Sequence, residues 1–389
     1  MEYINDKLLK TKEKGLFRVL KYIQTAQSPR VKIDGKNFIL LGSNNYLGLC
    51  DSPILKKAAI DAINKYGVGS GGSRLTTGSY DIHKRLEKKL ALFKGTQDGM
   101  IFNTGYMANI GTISALCNRQ WVIFSDRLNH ASIVDGCLLS GGKLIRYAHC
   151  NMDDLYNKLK NYRGTNNLIV TDGVFSMDGD IAPLPDIVEL ARKFKALTMV
   201  DDAHGTGVIG KNGAGTCSYY DLEGEIDINM GTLSKAIASE GGYVTGNCEL
   251  IDYLKNFSRS FIYSTALAPS TIAVSLKAIE IIEKDNTRRS DLLNMSNWFL
   301  CKLRAAGFNT LDTKTQIIPI IIGSSDIAVQ FSKELFESGV YIPAIRPPSV
   351  PEGSSRLRIS LMATHTEEDL LEALTKLIAI GKKLSVIGG

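Results

Sequence analysis

Short apolar runs alternate with amphipathic segments through the middle of the chain. Runs rich in Val, Ile, Leu and Phe predict strands that are buried on both faces. The predicted strands are WVIFSD (121–126), KLIRYAH (143–149), LIVTDG (168–173), LTMVDD (197–202), IDINMG (226–231) and GGYVTG (241–246). Helices are predicted over about 130–139, over 152–162, and over a segment that presents Leu184, Ile187, Val188, Ala191 and Phe194 on one face. This order predicts an α/β fold whose mainly parallel sheet is covered on both faces.

The pattern changes after a long helical segment that follows the last of these strands. The runs TQIIPIIIG and SRLRISL predict two further strands, separated by helices and a proline-rich segment. We therefore predict a large domain over 46–285 and a smaller α+β C-terminal domain over 286–389. Residues 1–45 are predicted to form an N-terminal segment that packs with the smaller domain.

The composition narrows the class of protein. The chain has 389 residues, of which 44% are hydrophobic and 22% charged, so it can bury a large core. Its net charge of +6 comes without a basic block interleaved with aromatics, so no nucleic-acid partner is predicted. No apolar run reaches the roughly 18 residues of a membrane span, and the polar start is unlike a signal peptide. Seven scattered cysteines predict reduced thiols in the cytoplasm, and five histidines without zinc-binding spacing predict no metal site.

Polar side chains collect at the carboxyl ends of the predicted strands, where ligands of open α/β sheets bind. The last of these ends carries Lys235, which stands among small and apolar residues in DINMGTLSKAIASEGG. A lysine kept out of water loses proton affinity and becomes a nucleophilic amine. The strand-end residues predict an active site, and they are Asp126, His130, Asp172, Ser176, Asp201, Asp202, His204, Thr232, Ser234 and Lys235.

A helix start supplies a candidate phosphate site. In FNTGYMANIGTISAL (102–116) an Asn-Thr-Gly sequence precedes an amphipathic helix, whose free N–H groups and dipole favour an anion, although a plain helix start has the same pattern. GVGSGG (67–72) also matches GxGxxG, but helical periodicity precedes it where a dinucleotide site needs a strand. A dehydrogenase is therefore disfavoured. Together, a phosphate site, carboxylates, histidines and an isolated Lys235 predict pyridoxal 5′-phosphate (PLP) as the cofactor.

A set of motifs spans nearly the whole chain in a fixed order. They are LGSNNYLGL, GSGGSRLTTG, FNTGYMANIG, DRLNHASIVDG, TDGVFSMDGD, VDDAHGTGVIG, GTLSKAI, YSTALAP and SRLRISLMATHT. As a set they resemble the α-oxoamine synthases, a family of PLP-dependent enzymes. The resemblance implies the fold-type I transferase fold, similar to that of aspartate aminotransferase.

The resemblance also implies a role for each matching residue at the cofactor ring. Lys235 would bind the cofactor covalently, and His130 would stack on the pyridine ring. Asp201 would pair with the ring nitrogen. His204 would contact the ring hydroxyl, assisted by Ser176.

Other matching residues would bind the phosphate and the substrate. The amides of Gly105 and Tyr106, with Thr232, would hold the phosphate, and Ser264 and Thr265 would reach the phosphate of a neighbouring subunit. The resemblance thus implies a homodimer with shared active sites.

The substrate residues implied by the resemblance carry positive charge or amide groups. Arg358 would clamp the amino-acid carboxylate, as a bidentate guanidinium can, and Asn44 would line the same pocket. Arg74 and Arg346 are the candidates to pair with a second carboxylate on the acyl substrate.

The segment IPAIRPPSVPEGSSRLRISL is most similar to the branch of the family that serves biotin synthesis. That branch joins L-alanine to a pimeloyl thioester, on coenzyme A or a carrier protein, in a decarboxylative condensation. Sister reactions, in which glycine meets acetyl-, succinyl- or long-chain acyl-CoA, remain open. A PLP-binding regulator without turnover is a more remote alternative, since fold does not dictate function.

Overall fold

The computed structural model describes residues 1–13, 15–162 and 166–388. The contacts divide the chain into two compact units. The first unit comprises Met1–Gly48, Met177–Gly179 and Ser290–Gly389, and the second comprises Leu49–Ser176 and Asp180–Arg289.

The regular elements are numbered in chain order. The strands are β1 (Arg30–Ile33), β2 (Lys36–Leu40), β3 (Asp98–Phe102), β4 (Trp121–Asp126), β5 (Lys143–Tyr147), β6 (Asn166–Asp172), β7 (Leu197–Asp201), β8 (Ile228–Thr232), β9 (Gly242–Gly246), β10 (Ile317–Gly323), β11 (Val340–Tyr341), β12 (Ala344–Ile345) and β13 (Ser355–Ser360). The helices are α1 (Glu2–Glu13), α2 (Pro53–Tyr66), α3 (Asp81–Lys94), α4 (Gly105–Leu116), α5 (Ala131–Ser140), α6 (Met152–Lys160), α7 (Leu184–Phe194), α8 (Thr216–Tyr219), α9 (Cys248–Phe257), α10 (Arg259–Ile262), α11 (Pro269–Lys284), α12 (Asn286–Ala305), α13 (Ser325–Glu337) and α14 (Glu367–Lys383). A 3₁₀ turn covers Lys211–Gly213.

The second unit is built on a seven-stranded sheet in the order β3-β9-β8-β7-β6-β4-β5. The five strands from β4 to β8 pair in parallel, which confirms the mainly parallel sheet predicted from the sequence. The strand β9 instead runs antiparallel to both β8 and β3. Only residues 233–241 join β8 to β9, and a parallel crossover needs a dozen residues or more, so the chain turns back. The sequence did not predict β3.

Apolar side chains on both faces of this sheet explain the continuous hydrophobic runs. Ile123 belongs to the core cluster on one face, while its neighbours Val122 and Phe124 belong to the cluster on the other. Successive residues of a strand point to opposite faces of the sheet, so a strand that is covered on both faces is apolar along most of its length. The predicted apolar face of α7 is likewise buried.

The first unit contains two three-stranded sheets, ordered β1-β2-β11 and β10-β13-β12. Every residue of β13 is buried, including the two arginines of SRLRIS. At the other end of the sequence, Arg30 at the start of β1 pairs with Asp369 of α14 at 2.8 Å. Residues from both ends of the sequence therefore form one unit. Within the described residues, no helix is long and apolar enough to cross a membrane.

Candidate functional site

A cavity of about 240 Å³ lies in the second unit, where β6, β7 and β8 end and α4 begins. Its position is the one expected for a ligand of an open α/β sheet. Ten residues proposed from the sequence line it together: Gly105, Tyr106, His130, Asp172, Ser176, Asp201, His204, Thr232, Ser234 and Lys235.

Lys235 lies on a turn three residues beyond β8, and its side chain reaches the cavity half-buried. The main-chain oxygen of Lys235 accepts a hydrogen bond from Ala238 at 2.9 Å, which closes the turn. Its Nζ lies 2.7 Å from Nε2 of His204. The amine and the imidazole are therefore within direct proton-transfer distance.

Asp201, the last residue of β7, is held on both of its oxygens. One oxygen accepts from the Nδ2 of Asn109 at 2.7 Å, and the other accepts from the amide of Ala203 at 3.0 Å. The same Asn109 amide donates to Ser132 at 2.8 Å, and the Ser132 hydroxyl lies 2.7 Å from Nδ1 of His130. A chain of hydrogen bonds thus fixes the carboxylate and the imidazole relative to each other.

Asn109 and Ser132 also line the cavity, although neither was predicted as a site residue from the sequence. A signal for Asn109 was present, because it follows Gly105 by four residues and so lies on the same face of α4. An amide side chain in a helix that has no charged residue is a second signal. Ser132 lies in the NHAS sequence, of which only His130 was predicted as a site residue.

Asp172 and Asp201 stand side by side, because β6 and β7 pair them in register. Complete burial and the neighbouring charge of Asp201 raise the pKa of Asp172 well above its usual range. Asp172 accepts the main-chain N–H of His130 at 3.0 Å. Burial also lowers the pKa of His130, despite the attraction of Asp201. The site thus favours a neutral His130 ring, which suits an aromatic stack.

Asp202, the next residue after Asp201, forms an ion pair outside the cavity lining. Its carboxylate lies 2.6 Å from the Nζ of Lys94, and both side chains are almost completely buried. It also accepts hydrogen bonds from the amide and the hydroxyl of Thr216. Burial opposes a charged lysine, but the Asp202 carboxylate raises the pKa of Lys94. This ion pair leaves Asp201 as the acid of VDDAHG that faces the cavity.

Replacing Lys94 with methionine is expected to lower the free energy of unfolding by about 3–5 kcal/mol, because it leaves the Asp202 charge buried without a partner. Lys277→Met is the matched control, since Lys277 forms a half-exposed pair with Glu280. Such a pair contributes about 0–1 kcal/mol. Urea denaturation followed by circular dichroism measures both variants. Equal, small losses would contradict the assigned role of the buried pair.

The start of α4 has the features of an anion site. Thr104 caps the helix by accepting the amide of Met107 at 3.1 Å, and the helix begins at Gly105. The first amides of a helix have no acceptor within it, and its dipole favours negative charge there. A Cβ at Gly105 would lie 3.4 Å from Thr232 and narrow the cavity. These donors, with the amine of Lys235 nearby, fit a ligand that carries both a phosphate and a carbonyl group.

Five predicted residues of the second unit lie outside the cavity lining, among the residues that the structure describes: Arg74, Asp126, Asp202, Ser264 and Thr265. Thr265 forms a bridge with Ser73, and its main-chain oxygen accepts from Asn103 at 2.7 Å, while Ser264 precedes it in the same loop. Arg74 donates to both oxygens of Glu87, at 2.8 and 3.2 Å. Its charge is therefore balanced within the chain.

In the first unit, the structure brings Asn44 and Arg358 together. Both terminal nitrogens of Arg358 lie 3.2 Å from Oδ1 of Asn44, and one lies 3.2 Å from the hydroxyl of Tyr46. The Tyr46 hydroxyl also contacts Asn44 at 3.1 Å. Tyr46 was not proposed from the sequence, although it follows Asn44 by two residues.

Comparison with known proteins identifies the family to which the chain belongs. The sequence profile of the family described as aminotransferase class I and II matches residues 36–377. An 8-amino-7-oxononanoate synthase from Lysinibacillus sphaericus is 51% identical over 376 residues, which are 96% of this chain and 97% of the relative.

Two solved structures extend the comparison. A serine palmitoyltransferase from S. paucimobilis, solved with PLP and myriocin bound, has a TM-score of 0.94 and 32% identity, covering 99% of this chain and 98% of its own. An 8-amino-7-oxononanoate synthase from Francisella tularensis has a TM-score of 0.78 and 29% identity, covering 89% of this chain and 98% of its own.

The chain therefore belongs to the aminotransferase class I and II family. Within it, the chain is an α-oxoamine synthase, as the sequence motifs predicted. The fold-type I fold is confirmed, and so is PLP as the cofactor.

Proposed function

We propose that the protein catalyses the decarboxylative condensation of L-alanine with a pimeloyl thioester. The products are 8-amino-7-oxononanoate, carbon dioxide and a free thiol, in the pathway to biotin. The observation that carries this proposal is full-length identity of 51% to a relative named for that product. The cavity in the second unit supports it, because it joins a reactive amine to an anion site.

Each residue of the cavity has a separate role at the cofactor in this proposal. When bound, PLP supplies an electron sink for the charge that develops on the amino-acid Cα. Lys235 would anchor the cofactor through its Nζ, and the same amine, once free, would remove the Cα proton of the amino acid. Asp201 would hold a proton on the ring nitrogen by its negative charge.

The remaining cavity residues orient the cofactor. His130 would cover the face of the ring, and His204 with Ser176 would contact the ring hydroxyl. The amides of Gly105 and Tyr106, together with Thr232, would bind the phosphate. These assignments rest on the shared cavity and on the order in which the motifs occur.

Arg358 binds the carboxylate of the amino acid in this proposal. Its guanidinium can form a bidentate pair with a carboxylate, and Asn44 presents an amide beside it. The carboxylate is common to all the candidate amino acids, so it does not select alanine. Discrimination between alanine and glycine depends on the space for one methyl group, which contributes about 1–3 kcal/mol.

The proposal includes a homodimer in the cytoplasm. Large apolar side chains are exposed near the loops that would face a neighbour, among them Val68, Leu75 and Tyr263. The bridge between Ser73 and Thr265 brings the segments that carry these side chains together, and exposed apolar side chains on adjoining segments favour a protein–protein interface. Ser264 and Thr265 then reach the phosphate of the neighbouring subunit. Seven free cysteines among the described residues support a reducing compartment.

A second candidate joins serine to a long-chain acyl thioester, and the TM-score of 0.94 to a serine palmitoyltransferase favours it. The higher identity of 51% to the 8-amino-7-oxononanoate synthase outweighs that likeness, since one fold hosts several substrates.

Thiol release separates these candidates. Purified holoenzyme is incubated with alanine, glycine or serine and with pimeloyl-, acetyl- or palmitoyl-CoA, and the product is identified by mass spectrometry. Alanine with pimeloyl-CoA is expected to give the highest kcat/KM. A clear preference for glycine with acetyl-CoA, or for serine with palmitoyl-CoA, would assign the chain to a sister branch.

A further inference from the structure

His149 bridges two carboxylates outside the cavity of the second unit. Its Nδ1 lies 3.0 Å from an oxygen of Asp126, and its Nε2 lies 2.9 Å from an oxygen of Asp180. A neutral imidazole has a single N–H, so only the doubly protonated ring can donate to both. Partial burial opposes the charge, but the hydrogen bonds to Asp126 and Asp180 raise the pKa of His149 to about 12. The ring therefore joins the two acids as an imidazolium.

Hydrogen bonds connect the first of these acids, Asp126, to the turn that carries His130. Asp126 ends β4, and its carboxylate accepts the amide of Leu128 at 2.8 Å. The main-chain oxygen of Asp126 accepts the amide of Asn129 at 3.2 Å. The side-chain oxygen of Asn129 in turn accepts the amide of Asp172 at 2.9 Å. Asp126 thus sets the turn that presents the His130 ring to the cavity.

The second acid leads to Ser176. The main-chain oxygen of Asp180 accepts the amide of Phe175 at 3.0 Å, and Ser176 follows directly. The Phe175 ring also meets the His149 ring edge-on, with centroids 4.4 Å apart at 88°. Ser176 lines the cavity. His149 therefore contacts both the carboxylate and the aromatic ring that flank this serine.

We propose that His149 is a positioning residue for the cofactor, which ties Asp126 to Asp180 and so holds His130 and Ser176 at the cavity. It acts through these two residues without lining the cavity itself. The inference rests on the cofactor site and is independent of the substrates proposed above.

A metal site is the competing explanation for this cluster. Asp126, His149 and Cys150 offer ligand atoms within 4.8 Å of one another. A histidine that binds a metal does so with a neutral ring nitrogen, whereas both nitrogens of His149 already face carboxylates. The titratable groups that face the ring are Asp126, Asp180 and Cys150. Two acids around one histidine favour the imidazolium bridge.

His149→Gln tests the proposal through cofactor affinity. Titration of the apoprotein with PLP, followed by absorbance, is expected to give a dissociation constant about tenfold or more above the wild-type value, by analogy with metal sites, where residues that orient the direct ligands change affinity on this scale. His365→Gln is the matched control. His365 is a buried histidine of the first unit, whose Nδ1 accepts the amide of Met362 at 2.9 Å and whose Nε2 donates to the main-chain oxygen of Leu40 at 3.1 Å. Its loss is expected to lower the melting temperature but not the PLP affinity.

A purely structural role for His149 would lower the melting temperature of both variants and leave both PLP dissociation constants unchanged. That result overturns the proposal. Failure of the wild-type apoprotein to bind PLP would instead show that the cofactor assignment itself is wrong.

Two further measurements keep the test decisive if His149→Gln does not fold. Asp180→Asn removes one side of the bridge at a partly exposed position, and it is expected to weaken PLP binding less than His149→Gln. Nitrogen-15 NMR of the wild-type protein is expected to show both ring nitrogens of His149 protonated at pH 8. A neutral His149 ring at that pH overturns the bridge.

Discussion

Lys235→Ala is expected to reduce turnover on the order of 10⁴-fold or more, as for residues that act as one chemical unit with their partners. The variant loses both the anchor of the cofactor and the base that removes the Cα proton. Steady-state thiol release with alanine and pimeloyl-CoA measures the effect. The cavity and its phosphate donors remain, so the variant should still bind PLP, but without a covalent bond to the chain.

The control for this variant is Lys277→Ala, because Lys277 lies in a half-exposed ion pair on α11. Its turnover should equal that of the wild type. Turnover of Lys235→Ala within tenfold of the wild type would show that another amine carries the chemistry.

Asp201→Asn is expected to lower kcat on the order of 10²-fold or more, the scale seen when a preorganised electrostatic partner is removed. The amide keeps the shape of the side chain but not the charge that holds a proton on the ring nitrogen. PLP should therefore bind while the Cα proton is removed slowly. Isotope exchange of alanine in deuterated water measures that step directly.

Asp186→Asn is the matched control, since Asp186 is an exposed acid in the first turn of α7. It should exchange at the wild-type rate. Near-normal exchange by Asp201→Asn would mean that a different acid pairs with the ring. Asp202 is a poor candidate for that acid, because its carboxylate already contacts Lys94 and Thr216.

The fold could be predicted because burial on both faces leaves a plain signal in the sequence. Runs such as WVIFSD begin with several consecutive apolar residues for that reason, and six predicted strands agree with the structure to within two residues at either end. The strand β3 was missed because DGMIF is short and opens with an acid and a glycine. The direction of β9 depends on the length of one connection rather than on its own residues.

The candidate site was predictable to the extent that strand ends meet at one edge of the sheet. The site residues that lie on helices could not be predicted in this way. Asn109 reaches Asp201 across 92 positions of sequence, and Lys94 reaches Asp202 across 108. The choice between Asp201 and Asp202 depends on that second contact, which no local pattern contains. The bridge made by His149 was missed for the same reason.

The most direct test of the central claim is to locate the cofactor on the chain. Wild-type holoenzyme is reduced with borohydride, digested, and mapped by mass spectrometry. The mass of a pyridoxyl group is expected on the peptide that contains Lys235, the amine that lies 2.7 Å from His204 in the cavity. A pyridoxyl group on any other lysine would contradict the account.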